Sequence, residues 1–361
     1  MNPVRSLASM PIRRLLLLAL ATCLSAADGF PPPDVDDLKE MPLDPHPAGD
    51  LPDGGVRHWR GFTAAALTGA YASVVRRAGS YELWVNSWEE GGAETHGMTV
   101  RRGPALDRLA EPVTAFDGRL IDDVLSADGT PAPARGMTRP NVYFDATQGY
   151  VLLGCVCSDY LPGQVPLLPA LAVSVDGSAG SWRYLGQLRG EPAEEASRRR
   201  IWSDGGSIMP VAGGWRAYLN GYGQTLCALE SADLAGPWRF VRDGQGGIRE
   251  LLPEFSRVAG RPGVFPTVLR AGPDDWHAWL TDGWPPQTIW HFWSADGLNW
   301  RPYGAQPEIT RALVGDRPIK CLRTWVEDGA IAGLLSVWMP TADGGREWQL
   351  LRGSLPVGAP H

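Results

Sequence analysis

Apolar residues in this chain fall in short blocks of four to eight, many alternating with polar ones, cut by Gly, Asp and Pro. That period suits half-buried strands rather than helices. The blocks recur in a fixed order: an apolar run, a Gly or Asp turn, a second run with aromatics, a loop, then a third run. The clearest copy is Phe265-Pro-Thr-Val-Leu-Arg, Trp276-His-Ala-Trp-Leu-Thr, Thr288-Ile-Trp-His-Phe-Trp, then Ser294-Ala-Asp-Gly-Leu-Asn-Trp300. Further copies begin at Asn141 and Ser207, with weaker ones at Ala72 and Ile319, about 55 to 70 residues apart. Each copy holds three recognisable strands and room for a fourth. This predicts an all-β, five-bladed β-propeller with four-stranded antiparallel blades. The one helix candidate outside the N-terminus is the short Pro192 to Arg200.

Three copies close on Ser-x-Asp followed by Trp: Ser174 with Asp176 and Trp182, Ser231 with Asp233 and Trp238, Ser294 with Asp296 and Trp300. Asp and Gly suit the turn, Ser and Asp side chains bond local amides, and the Trp packs against a neighbouring sheet. The turn reads as a structural staple, not a site.

The N-terminus stands apart. Arg5, Arg13 and Arg14 precede the apolar run Leu15 to Leu20, and Ser25, Ala26 and Ala27 follow. This predicts a signal peptide over 1–27 and a secreted or periplasmic protein; a second reading makes Cys23 a lipidated anchor. Residues 28–58, rich in Pro and Asp, read as an extended lead-in, and 59–361 as a single propeller. No later stretch is apolar enough to form a transmembrane segment. The whole chain carries a formal charge of −7, and residues 1–27 hold three arginines and no acid, so the mature part is more acidic still. An acidic chain is a poor general binder of nucleic acid. The 16 Trp, 44 Gly and 32 Pro agree with a turn-rich β protein. Cys155, Cys157, Cys227 and Cys321 allow three pairings, or none if they are buried thiols.

The repeat and its Ser294-Ala-Asp-Gly-Leu-Asn-Trp300 turn resemble the five-bladed propeller glycosidases of the arabinanase, levansucrase and invertase type, with blades similar to those of the β-mannoside phosphorylases. The resemblance covers residues 60 to 356. It implies a carbohydrate-active protein with its site where the first strands begin and the second-to-third-strand loops gather. Such enzymes place acids at the starts of three successive first strands. Here the first blade has none, the second has Asn141 after Arg139-Pro140, and the third has Asp204 in Trp202-Ser-Asp-Gly. Asp204 is thus the main candidate catalytic acid, with loop acids Asp159 and Asp282 as candidates beside it; Glu89, Glu90 and His96 also lie in a loop. Glycoside hydrolysis needs two such carboxyl groups. Arg139, Arg261 and Arg317 each precede Pro at a strand start and are expected to converge on an anionic group, unless neighbouring acids such as Asp316 or Glu254 pair with them. Trp88, Tyr160, Tyr222, Trp284 and Trp338 are expected in loops as a sugar platform, or as packing between blades. Three functions stand open: a glycoside hydrolase on a neutral or anionic saccharide, a non-catalytic carbohydrate-binding propeller, and an envelope protein-interaction propeller. The arabinanases can hold channel calcium, but no acidic ligand set here demands it, and no cofactor is expected. The oligomeric state is not read from the sequence.

Overall fold

A computed structural model describes residues 59–86, 97–117, 134–158, 168–188, 190, 206–221, 224–253, 255, 263–282, 288–304, 306–341, 344 and 346–356. All belong to one unit, 42–160 with 165–361. Twenty-one strands form five antiparallel sheets. Blade 1 is β2 (Ala72–Arg77), β3 (Ser80–Asn86), β4 (Met98–Gly103) and β5 (Val113–Phe116). Blade 2 is β6 (Ala134–Asp145), β7 (Gly149–Ser158), β8 (Leu168–Ser174) and β9 (Trp182–Gln187). Blade 3 is β10 (Gly206–Val211), β11 (Gly214–Gly221), β12 (Gln224–Ser231) and β13 (Arg239–Phe240). Blade 4 is β14 (Val264–Gly272), β15 (Asp275–Thr281), β16 (Thr288–Ser294) and β17 (Trp300–Pro302), with β18 (Ile309–Thr310) also paired to β16.

Blade 5 is built from both ends of the described chain. β19 (Ile319–Glu327), β20 (Ala330–Pro340) and β21 (Arg346–Pro356) supply three strands, and β1 (Arg60–Thr68) pairs with β21 as the fourth. The innermost strands touch in a ring, β2 to β6 to β10 to β14 to β19 and back to β2. The sequence pattern shows the five copies; it does not show that the strand before the first copy completes the last.

The apolar interior is divided. Five clusters of buried side chains each lie between two successive blades. A sixth, Ala70, Tyr71, Phe265 and Cys321, sits at the axis. Both faces of every blade are therefore covered, which is why the strands are rich in apolar residues on both sides.

Side chains of the innermost strands stitch each blade to the next. Ser73 Oγ accepts from Val142 N at 2.9 Å, Asn141 Oδ1 from Ile208 N at 3.3 Å, and Ser207 Oγ from Val268 N at 2.8 Å. Thr267 Oγ1 donates to Leu322 O, and from the second strand of blade 5 Ser336 Oγ of β20 donates to Ala70 O at 2.8 Å to close the ring. Innermost strands have a free edge, and these bonds satisfy part of it.

The Ser-x-Asp turns behave as expected. Ser294 Oγ accepts from Gly297 N at 2.9 Å, while Asp296 Oδ1 accepts from Leu298 N and Asn299 N at 2.8 and 2.7 Å. Burial would raise the Asp296 pKa, yet those amides hold it well below the carboxylate range. Ser174 and Asp176 repeat the arrangement. Gly297, at φ 72°, sits against the Tyr218 hydroxyl and Arg216 of the preceding blade, where a Cβ would clash. Trp182 lies edge-on to Trp84, and Trp300 edge-on to Tyr218, each in the preceding blade.

Cys155, Cys227 and Cys321 are buried free thiols, and burial pushes the Cys227 pKa up. Cys23, the lead-in and Pro192 to Arg200 lie outside the described residues. No helix among the described residues is long and apolar enough to cross a membrane.

Candidate functional site

The innermost strands all begin on one face, where β3, β7, β11, β15 and β20 end. The channel mouth on that face has an aromatic floor. Tyr71, just before β2 and 3% exposed, packs 5.9 Å from Phe265 of β14. The Arg139 guanidinium lies 4.9 Å from the Tyr71 ring centre, and Lys320 Nζ lies 4.4 Å from it. Lys320 Nζ is also 5.0 Å from the Trp348 ring, which packs 5.1 Å from Trp338. Four blades thus bring an aromatic pair and two cations to one point.

The backbone there is strained. Arg139 and Phe265 both have positive φ, 58° and 52°, and each precedes a proline. A non-glycine residue in that region costs about 1–3 kcal/mol, and the surrounding structure must hold it there. Both sit where the strand register slips, between Thr138 and Asn141 in β6 and between Val264 and Thr267 in β14. Asn86, at the end of β3 and fully buried, supplies one restraint: its Oδ1 accepts the Arg139 amide at 2.8 Å. Such bulges re-aim side chains, and here they turn Arg139 and Phe265 onto Tyr71.

This placement alters the expected trio of arginines. The register gives Arg139 its counterpart in blade 4 at Phe265, four residues after Arg261, which itself lies outside the described residues. Arg317 lies half-buried in the lead to β19, beside Asp316, where the positive φ falls instead. The cation that joins Arg139 at the mouth is Lys320, in the β19 bulge between Ile319 and Leu322. Asn141 faces the neighbouring blade and serves the inter-blade stitch. Trp338 is not a loop residue; it lies in β20 opposite Trp348. Asp282 directly follows β15 at the mouth, 2% exposed, with its Oδ1 accepting Thr288 N at 3.0 Å from the start of β16. Asp204, Asp159, Trp88, Tyr160, Tyr222 and Trp284 lie outside the described residues, as do Glu89, Glu90 and His96.

Tyr71, Lys320, Phe265 and Asn86 were not legible as site residues. The signals they leave are slight: an aromatic just before the first repeat and a Phe-Pro that echoes Arg139-Pro140.

Among the described residues, no group of three or more His, Cys, Asp or Glu side chains is arranged to hold a metal. Arg139 and Lys320 repel a divalent ion, so these described residues do not fit channel calcium.

Blade 4 holds a second polar cluster, away from the mouth. His277 Nδ1 and His291 Nε2 are 2.8 Å apart. His277 Nε2 lies 3.0 Å from Asp275 Oδ1, and His291 Nδ1 lies 3.1 Å from Glu308 Oε2. Trp279 stacks on His291 at 4.6 Å, Tyr303 stacks on its other side at 4.1 Å, and the Trp279 indole donates to Glu308 Oε2 at 2.8 Å. Burial, then the neighbouring His291, lowers the His277 pKa. Burial would raise that of Glu308, but His291 and the indole hold it below its ordinary value.

No protein-family model and no curated protein matches the sequence. Solved structures do match its fold. An α-L-arabinofuranosidase from Lactobacillus brevis is 10% identical, covering 81% of this chain and 94% of its own, at TM-score 0.57. This chain has the fold of the five-bladed propeller glycosidases. A thermostable family-43 glycoside hydrolase is similar to this propeller at 14% identity, 81% and 94% coverage and TM-score 0.54. An exo-β-1,3-galactanase from Phanerochaete chrysosporium, bound to β-1,3-galactotriose, is similar at 10% identity and TM-score 0.53. This chain covers 63% of that galactanase's length, with 82% of its own residues aligned.

Proposed function

We propose that this propeller is an exported carbohydrate-active protein that receives an anionic saccharide at its channel mouth and hydrolyses a glycosidic bond there, with Asp204 as the acid. The observation that carries the reading is the floor of Tyr71 and Phe265 flanked by Arg139 and Lys320. The buried Tyr71 ring, packed on Phe265, holds the Arg139 guanidinium and Lys320 Nζ at the mouth. Two cations on one ring attract a carboxylate or sulfate, and on an acidic chain they make a local field of opposite sign. The fold similarity to glycosidases supports the same reading.

A second reading, a saccharide-binding propeller without chemistry, is favoured by one observation. Tyr71 precedes β2, and Asn141, at the position expected for an acid in the second blade, lies within β6 and is spent on an inter-blade bond.

Reducing-sugar release and binding, measured on a panel of neutral and acidic polysaccharides, separate the two. Release from an acidic polymer that Asp204→Asn abolishes, with binding retained, supports hydrolysis. Binding without release establishes the second reading. Neither binding nor release across the panel overturns both.

A further inference from the structure

Beneath the Tyr71–Phe265 floor, β19 carries a guanidinium with three of its five N–H donors unused. Arg323 is 3% exposed. Its Nη1 donates to Thr267 Oγ1 at 2.8 Å and to Pro266 O at 3.2 Å, both on β14. Its Nε and Nη2 are buried and meet no acceptor. Among the described residues no carboxylate forms an ion pair with it. An ionised group held this far from water without a counter-charge is strongly destabilising unless something answers it. Arginine cannot escape by losing its proton.

The geometry of the unused donors is specific. Nε–H and Nη2–H lie on one edge of the planar guanidinium and point in parallel, the arrangement that grips two oxygens of an oxyanion or a single halide. The opposite edge is anchored by Nη1, so the free edge is fixed in direction. Thr267 helps hold it, because the hydroxyl that accepts from Nη1 also donates to Leu322 O. That edge is closed to bulk water, which restricts its partner to a few atoms.

We infer that the Nε/Nη2 edge of Arg323 is a binding site for a small monovalent anion, of halide, nitrate or formate size, held inside the propeller as a structural ligand. The site is independent of the saccharide reading and uses none of its residues.

The test is thermal unfolding of the purified chain in sodium gluconate, then with gluconate replaced by chloride, bromide, nitrate or formate at constant ionic strength. The small anions are expected to raise Tm saturably, by ~5 °C once they exceed their dissociation constant about a hundredfold. Arg323→Met is expected to fold and to lose that response, and Arg323→Lys, with no paired edge, to weaken it at least tenfold in anion concentration. A crystal grown in bromide should show an anomalous peak in hydrogen-bond reach of Nε and Nη2, a readout that stands even if the variants do not fold. An equal Tm in gluconate and chloride, a response kept by Arg323→Met, or a bromide-grown crystal with only water at that edge would each overturn the proposal.

Discussion

Replacing Glu308 by Gln changes one charge and almost no volume, so it tests what the buried carboxylate contributes to the polar cluster in blade 4. Three contacts, Asp275 to His277, His277 to His291 and His291 to Glu308, lie within 2.8 to 3.1 Å. Against the effect of burial, His291 and the Trp279 indole, whose Nε1 donates to Glu308 Oε2 at 2.8 Å, hold the buried Glu308 carboxylate below its ordinary pKa. Glu308, with its side chain 3% exposed, is the buried charge. Removing one partner of a buried ion pair costs about 3–5 kcal/mol, against a typical total of ~5–15 kcal/mol. For a chain of this size that lowers Tm by roughly 6–10 °C. Replacing His277, His291 and Glu308 together by Leu leaves no orphaned charge and should cost less than the single change. Urea unfolding of wild type, Glu308→Gln and the triple variant, followed by Trp fluorescence from pH 4 to 8, measures all three.

The wild-type pH dependence has a definite sign. The folded state resists a further proton on His277, which an unfolded His accepts near pH ~6.5, so the unfolded chain binds more protons and stability falls with acid. Glu308, held low when folded, acts in the same sense at lower pH. A Glu308→Gln cost below ~1 kcal/mol at pH 7, or one larger in the triple than in the single variant, would refute the role of Glu308 as a buried charge held by its neighbours.

Other outcomes follow from the ring and the mouth. Ser207→Ala strands the buried Val268 amide and should cost about 1–3 kcal/mol in urea unfolding, more than an exposed Ser→Ala. Arg139→Gly relieves a positive φ worth ~1–3 kcal/mol, so Tm should hold or rise while affinity for an acidic saccharide falls at least tenfold; a loss of both would mean that the guanidinium supports the fold instead.

The five copies were legible because each blade repeats the same physical unit, down to Ser294 and Asp296 bonding their own turn amides. Their order in the ring was equally legible, since antiparallel neighbours connect through short turns. The role of residues 60–68 was not, because the partner of β1 lies almost 300 residues away and no local pattern reports it. The mouth was half legible. Arg139 was found through its proline, but the register slip that pairs it with Phe265 rather than Arg261 is a property of hydrogen bonding, not of residue type. Lys320 and Tyr71 carry ordinary local sequence, and only ring closure brings them together. His277 and His291 sit at unremarked alternate positions in two strands until pairing sets Trp279 opposite His291.

The shared fifth blade makes this molecule a closed array rather than an open one. In a linear solenoid the stabilities of repeats and their nearest-neighbour junctions add along a line, and end units fray because each has only one junction. Here every blade has two junctions, so no unit is terminal and local opening has no preferred starting end. The weak point is β1, an outermost strand joined to its blade only by pairing with β21, which can peel away without breaking the ring of innermost strands. Its detachment would expose the outer edge of β21 while leaving the mouth assembled.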